Sequence, residues 1–401
     1  MKALFAHTHK FLTTGNGEVY SPGQFPYATW QRYLRHFDEL IVVARSSSLA
    51  DDHHQQLNRS DGPNVSFIFL PNILHVRGML KYRRQVVGSM RRLVQSVDAV
   101  IARTSLFGSL AVSISKKHNK PYAVEVVGCP WDAFWNHGTL AGRLYAPYAW
   151  IRQKRLLRRA PFALYVTQRF LQERYPSNGT TTGVSNVSIS ASDQSVLERR
   201  IERVRVPGKP LVFGLVGSLS SAYKGIQTAL AAFGRIGSQL PDYQFHVLGG
   251  GDPARWVKLA AAHGVASRVR FVGTLPAGDA VLKWLDAVDV YLQPSLQEGL
   301  PRSLVEAMSR GCPAIGSTAG GIPELLDRDC LHAAGNAGQL GGLLLKSVSE
   351  QWREAQAERN YQVAKRYTKT VLDERRDQFW RSFAHYAATR PNSVRGEDQC
   401  E

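Results

Sequence analysis

Short apolar runs rich in β-branched residues recur along this chain with helix-length segments between them, and no other feature limits the fold as strongly. "MKALFAHT", "ELIVVARS", "NVSFIFLP", "DAVIART", "YAVEVVG" and "FALYVTQ" form a first series; "PLVFGLVGSL", "YQFHVLGGG", "RVRFVGTL", "DVYLQPS" and "PAIGST" form a second. Strands that are apolar throughout are buried on both faces, the condition of a parallel sheet covered by crossover helices. Between the series, "SNVSISASDQSVLERRIERVRVPGKP" is polar and runs into Pro207, Gly208 and Pro210. The pattern predicts an α/β protein of two doubly wound, Rossmann-like domains, residues 1–195 and 208–370, joined by a linker. A helical pattern over 371–390, apolar and aromatic on one face, is expected to pack back on the first domain, and 391–401 to form a disordered tail.

At 401 residues and 44% hydrophobic content the chain can bury two separate cores. No apolar run approaches the roughly 20 residues of a bilayer-crossing helix. The start, "MKALFAHTHKFLTT", lacks the long apolar region of a secretory signal, so a cytosolic location is expected. Cys129, Cys312, Cys330 and Cys400 are scattered, with neither metal-ligand spacing nor a disulfide framework.

The formal charge of +18 calls for an anionic partner. Arg77–Arg92 and Arg143–Arg159 each hold six Lys or Arg and no acid. In the second, Leu144, Tyr145, Tyr148, Trp150 and Ile151 interleave with the cations around Pro147. That composition suits an interfacial helix on an anionic membrane surface, with an ordinary solvated basic face as the alternative. A basic nucleic-acid-binding protein would also carry such a charge. However, no nucleic-acid motif is present, and the basic clusters lie in the first half while the recognisable chemistry lies in the second. A dinucleotide oxidoreductase needs Gly-x-Gly-x-x-Gly after a strand, and "GGGDPARW" lacks that spacing.

Ligands of open α/β sheets bind beyond the carboxyl ends of the strands. Three loops there carry chemistry. In "VFGLVGSLSSAYKGIQTALAAF" a strand ends at Gly217, and after Ser218 and a small-residue loop Lys224-Gly225 opens a helix, a pattern that suits an anion site or a plain βα turn. "FHVLGGGDP" puts Gly249, Gly250 and Gly251 at a strand end, a weak signal by itself. In "LQEGLPRSLVEAMSRGCPAIGST", Glu298 and Glu306 bracket Gly299, Leu300, Pro301, Arg302 and Ser303, with Gly311 as a helix stop. The amides of that turn can hold phosphate. An ionised carboxylate only accepts hydrogen bonds, so it repels phosphate and suits a vicinal diol. Diphosphate and hydroxyl-rich rings together describe a nucleotide sugar; a helix cap and a surface residue are the plainer reading of the two acids.

The ordered series "GSLSSAYKG", "VLGGGDP", "RVRFVGTL", "EGLPRSLVEAM" with Glu-x7-Glu spacing and "SRGCPAIGSTAGGIPELL" resembles the C-terminal half of the retaining glycosyltransferases of family 4, which have the GT-B fold. The resemblance runs from about Leu211 to Leu326. It implies an acceptor-binding N-terminal domain and a donor-binding C-terminal one. Glu306 is expected on the ribose diol, Glu298 against the transferred sugar, and Gly299 to Ser303 along sugar and diphosphate. Lys224 would neutralise the leaving group, Gly217, Ser218, Gly249 and Gly250 would line the donor, and Val272 of "RVRFVGTL" would lie near the base. No metal or other cofactor is expected; the donor is a substrate. The implied reaction moves a sugar from a UDP- or GDP-sugar to a lipid-linked or polysaccharide acceptor with retention, in surface polysaccharide assembly at the inner face of a bacterial membrane. A covalent intermediate on Glu298 stays open, as does a nucleotide-sugar epimerase of the same fold. Three departures stand out. Ser218 replaces an arginine that many members carry, with Arg302 as a candidate substitute. "VEVVGCPWDAFW" lacks a mid-domain histidine, leaving Asp132 for the acceptor or as a helix N-cap. The N-terminal Gly-Gly loop is replaced by "HTHKFLTTGNGEVYSPG", where Gly15 and Gly17 are expected to serve and Glu18 or His9 to touch the acceptor.

Overall fold

The structure, a computed structural model, describes residues 1–22, 25–49, 57–136, 139–187 and 189–390. The expected tail, 391–401, and with it Cys400, lies outside the described residues. Nine strands build the first sheet: β1 (Lys2–Thr13), β2 (Val19–Ser21), β3 (Glu39–Ser48), β4 (Asn58–Arg59), β5 (Val65–Phe69), β6 (Ala99–Arg103), β7 (Tyr122–Val126), β8 (Phe162–Tyr165) and β9 (Thr180–Gly183). Seven run parallel in the order β5-β3-β1-β6-β7-β8-β9, while β2 pairs antiparallel with the end of β1 and β4 antiparallel with β2. The pairing of β1 with β3 shifts between Ala6 and Lys10, so β1 continues past its neighbour β6.

The second sheet is parallel throughout, β12-β11-β10-β13-β14-β15, from β10 (Leu211–Val216), β11 (Tyr243–Leu248), β12 (Val269–Gly273), β13 (Val290–Gln293), β14 (Ala314–Ser317) and β15 (Leu331–His332). Every apolar run read from the sequence is a strand, and most of their residues are buried, as helices on both faces require. The order of β13 relative to β10 and β11 reverses the direction of winding between β10 and β13, the point at which such sheets bind ligands.

The segment read as a linker is in part structured. Gln194–Val204 is a helix capped by Asp193, with Val196, Leu197 and Val204 buried. Its buried Arg200 donates to the carbonyls of Leu285 (2.8 Å), Val288 and Arg310 (3.1 Å). These carbonyls lie at the ends of two helices, Leu285 and Val288 at that of Asp279–Asp286 and Arg310 at that of Arg302–Ser309, where a guanidinium is favourable.

The last helix, Lys369–Thr389, crosses to the first domain as the aromatic pattern implied. Trp380 meets Tyr33 at 5.1 Å, Phe379 meets Phe162 at 5.8 Å, and Arg376 donates to the Ser185 carbonyl at 2.8 Å. The two basic stretches lie on the helices Val76–Gln95 and Leu140–Arg158, the second with Pro147 inside it. Leu80 is 82% exposed, Leu144 74% and Tyr148 57%. Among the described residues no helix is long and apolar enough to cross a membrane.

Candidate active site

Lys224 reaches its position because three glycines let loops approach one another. A β-carbon at Gly217 would fall 2.7 Å from Lys224 Cγ, so the lysine stem lies across bare backbone. Ala222–Lys224 is a 3-10 turn, and Gly225, at φ +76°, starts the helix Ile226–Ile236 from the left-handed region. A β-carbon there would stand 1.9 Å from the Pro294 carbonyl. The Leu296 amide completes the junction by donating to the Tyr223 carbonyl at 2.7 Å. Gly249 serves the same end, since its β-carbon would meet the Gly217 carbonyl at 2.1 Å; Gly250 faces Thr274.

The ammonium so delivered sits 2.6 Å from Glu298 Oε1. Gln293 Nε2 (3.0 Å) and Ser295 Oγ (2.9 Å) donate to the same oxygen. Gln293 is in turn oriented by Tyr291 OH (3.1 Å) and Ser303 Oγ (3.4 Å), both donating to its Oε1. Tyr291, Gln293 and Ser295 are buried. Sequence reasoning missed all three. The available signal was two polar side chains, Tyr291 and Gln293, in a strand flanked by apolar ones, just before the Glu298 loop.

Glu306 stands on the helix Arg302–Ser309 and differs in kind. It is half-buried and makes no hydrogen bond or ion pair among the described residues; burial raises its carboxyl above the ordinary range, with the Arg302 charge opposing. Pro301 is the N-cap rather than the first helical residue, and it supplies no side-chain cap, so the first amides of this eight-residue helix stay unpaired by side chains. Gly311, at φ +62°, ends the helix as expected. Arg302 and Ser218 are exposed, and the Ser218 hydroxyl accepts from the Ser220 amide at 3.3 Å. Val272 is half-buried in β12.

The two domains meet at this turn. A β-carbon on Gly299 would lie 2.9 Å from the Val127 carbonyl, and the Leu296 carbonyl accepts from Asn136 Nδ2 at 3.1 Å. Glu324 caps the short helix Phe170–Arg174 from across the seam, accepting from the amides of Gln168 (2.6 Å), Arg169 (3.0 Å) and Phe170 (2.7 Å).

On the first domain the expectations need correction. Gly15 and Gly17 form the turn of the β1–β2 hairpin, with the Gly17 amide donating to the Thr14 carbonyl at 3.1 Å. Gly17 has φ +85°, which turn geometry reserves for glycine, and neither glycine has another protein group within 4 Å of a β-carbon. Glu18 is committed to Arg59 (3.0 Å) and Tyr20 (3.1 Å), and His9 Nε2 pairs with Ser21 Oγ (2.8 Å). Asp132 is not an N-cap: Cys129 Sγ takes that role, accepting from the Asp132 amide at 3.4 Å. The Asp132 carboxylate instead accepts from Arg174 at 3.2 Å, while burial raises its pKa and Arg174 opposes.

Chemically, the site pairs a cation and free helix amides, suited to a leaving phosphate, with one fixed and one unpartnered carboxylate suited to hydroxyls. The profile described as Glycosyl transferases group 1 matches residues 210–348. The chain is 30% identical over 357 residues to Protein CapJ of Staphylococcus aureus, covering 88% of each. It is 33% identical over 133 residues to the amylovoran biosynthesis glycosyltransferase AmsK of Erwinia amylovora, covering 31% of this chain and 32% of that one. Among solved structures, sucrose-phosphate synthase from Thermosynechococcus elongatus superimposes with a TM-score of 0.68 at 15% identity over 97% of this chain and 99% of that one. HepE of Anabaena, solved in complex with UDP and glucose, does so with a TM-score of 0.61 at 17% identity, over 97% of this chain and 100% of that one. The structural likenesses establish the GT-B fold, and the relatives the activity. The chain is a glycosyltransferase and belongs to the group 1 glycosyltransferases, the family 4 type built on that fold.

Proposed function

We propose that the protein transfers a sugar from a UDP- or GDP-sugar to a lipid-linked or polysaccharide acceptor, with retained anomeric configuration and without a metal, in the assembly of bacterial surface polysaccharide. The observation that carries this reading is the contrast between the two acids: Glu298 is held by Lys224, while Glu306 stands half-buried without a partner. A half-buried carboxylate to which no protein group donates is open to a ligand's donors, and a ribose diol supplies two. Names of relatives support the pathway: AmsK is an amylovoran and WcaL of Salmonella typhimurium a putative colanic acid biosynthesis glycosyltransferase.

In the proposed reaction the bond from the anomeric carbon to the phosphate oxygen breaks as the bond to the acceptor oxygen forms on the same face. The acceptor proton passes to the departing phosphate, whose charge Lys224 and the first amides of the helix Arg302–Ser309 stabilise. Glu298 Oε1 already accepts from an ammonium, an amide and a hydroxyl, which weakens it as a nucleophile and favours this route over a covalent glycosyl-enzyme. The exposed Leu140, Leu144, Tyr145, Tyr148 and Ile151 beside the cations of the same helix support peripheral contact with the inner face of the cytoplasmic membrane.

Thermal-shift titration with UDP, GDP, ADP and their sugars tests the donor assignment: one nucleotide series is expected to raise the melting temperature. Absence of any shift, or interconversion of donors without an acceptor, would overturn it. Nuclear magnetic resonance of the product's anomeric centre tests retention.

A further inference from the structure

The residues after β7 and β8, Val127 and Val166, touch the donor domain at Gly299, so the carboxyl edge of the first sheet faces the cleft. Farther along that edge, beyond β3 and β5, lies a cavity of about 370 Å³ whose lining includes Lys10, Arg45, Ser46, Phe69, Asn72 and Gln85. Among the described residues its lining holds two cations and no acid. Lys10 is exposed, and its side chain makes no hydrogen bond or ion pair among the described residues. Arg45 spends only its Nε, on the Thr8 carbonyl at 2.8 Å, and its outer guanidinium nitrogens meet no carboxylate among the described residues. Burial lowers the Arg45 pKa.

The ground between cavity and seam has the same bias. His7 and His9 on β1 are kept neutral, His9 down to about 4, first by burial and then by Arg103 and Arg45. Arg103 ends β6 with only Glu125 behind it, at 3.9 Å, and Glu125 also accepts from Tyr33 at 2.6 Å. An excess of cations over acids on the acceptor side suits an acceptor that carries a negative charge better than one that offers hydroxyls alone. The phosphates of the donor have their own cation, Lys224, on the other domain.

We infer that this cavity is an anion subsite for the acceptor: it takes a phosphate ester carried by the acceptor molecule, with Lys10 and Arg45 as charged donors and Ser46, Asn72 and Gln85 as neutral ones. Two cations and several neutral donors fit the multiple oxygens of a phosphate dianion. The inference rests on the proposed transferase reaction. The ester can belong to a lipid carrier or to a soluble phosphorylated glycan.

Isothermal titration of the full chain with methyl phosphate and with decyl phosphate tests it, in a Lys224→Ala background that removes the donor-side phosphate contact. Lys10→Glu is expected to weaken both ligands at least tenfold and Arg45→Lys severalfold, with nucleoside diphosphate binding to the Lys224-containing protein unchanged. Decyl phosphate binding tenfold tighter than methyl phosphate assigns a lipid-borne ester, and equal binding a soluble one; either order supports the subsite. Unaltered methyl phosphate affinity in Lys10→Glu overturns it, and because the exposed Lys10 side chain has no partner among the described residues, misfolding does not confuse that result. If no nucleoside diphosphate binds the wild-type chain, the donor reading fails independently of the Lys10 effect.

Discussion

Lys224 and Glu298 neutralise one another, so a diphosphate must compete with a carboxylate for the ammonium. Glu298→Gln is therefore expected to lower turnover at least about 100-fold, by analogy with removal of a preorganised polar group. Nucleoside diphosphate affinity, measured by calorimetry, is expected to hold or rise, because the ammonium is released. Glu306→Gln is expected to do the opposite, weakening the nucleoside diphosphate about tenfold, or ~1.4 kcal/mol, through loss of charge-assisted hydrogen bonds. Because burial raises the Glu306 carboxyl, its protonation on acidification begins above the ordinary carboxylate value, and donor affinity is expected to fall through that window in the wild type and not in Glu306→Gln. Lys224, Glu298 and Glu306 stood out in the sequence because they are spaced around glycines and helix starts. Tyr291, Gln293 and Ser295 did not, because their partnership arises from how a strand end faces the next loop. The N-cap reading of Asp132 failed because the Cys129 sulfur, outside the usual capping set of hydroxyl, carboxylate and carboxamide side chains, took the cap.

Elements were legible wherever an apolar run is long enough to be buried on both faces. The strands β2, β4, β9 and β15, two to four residues each, were not, since their pairing depends on the edge beside them and not on an apolar repeat. The helix Gln194–Val204 was read as a linker because its polar face dominates the composition, although its buried Val196, Leu197 and Val204 lie at helical spacing. Glu324 acts at this scale too, ending one domain's helix from the other. Glu324→Ala is expected to cost about 1–2 kcal/mol, the usual worth of a cap. Small-angle scattering is expected to report a wider separation of the domains, whereas unchanged scattering would assign Glu324 a local role only.

For the whole molecule, the +18 charge and the exposed apolar side chains of the helices Val76–Gln95 and Leu140–Arg158 act together. Sedimentation with phosphatidylglycerol vesicles is expected to carry the protein down at low salt and to lose it as ionic strength rises. Leu144→Glu with Tyr148→Glu is expected to weaken that partition at least tenfold without affecting nucleotide binding; vesicle binding indifferent to both salt and these changes would leave the helices as solvated faces. The two-domain organisation was legible from the two series of strands.

The crossing of Lys369–Thr389 has a further consequence during synthesis. Tyr33, Phe37 and Phe162 wait for rings that emerge well after them, Trp380, Phe383 and Phe379. The first domain keeps an open aromatic flank until residues 369–389 have been made, so a nascent chain halted before residue 369 is a species that needs a chaperone.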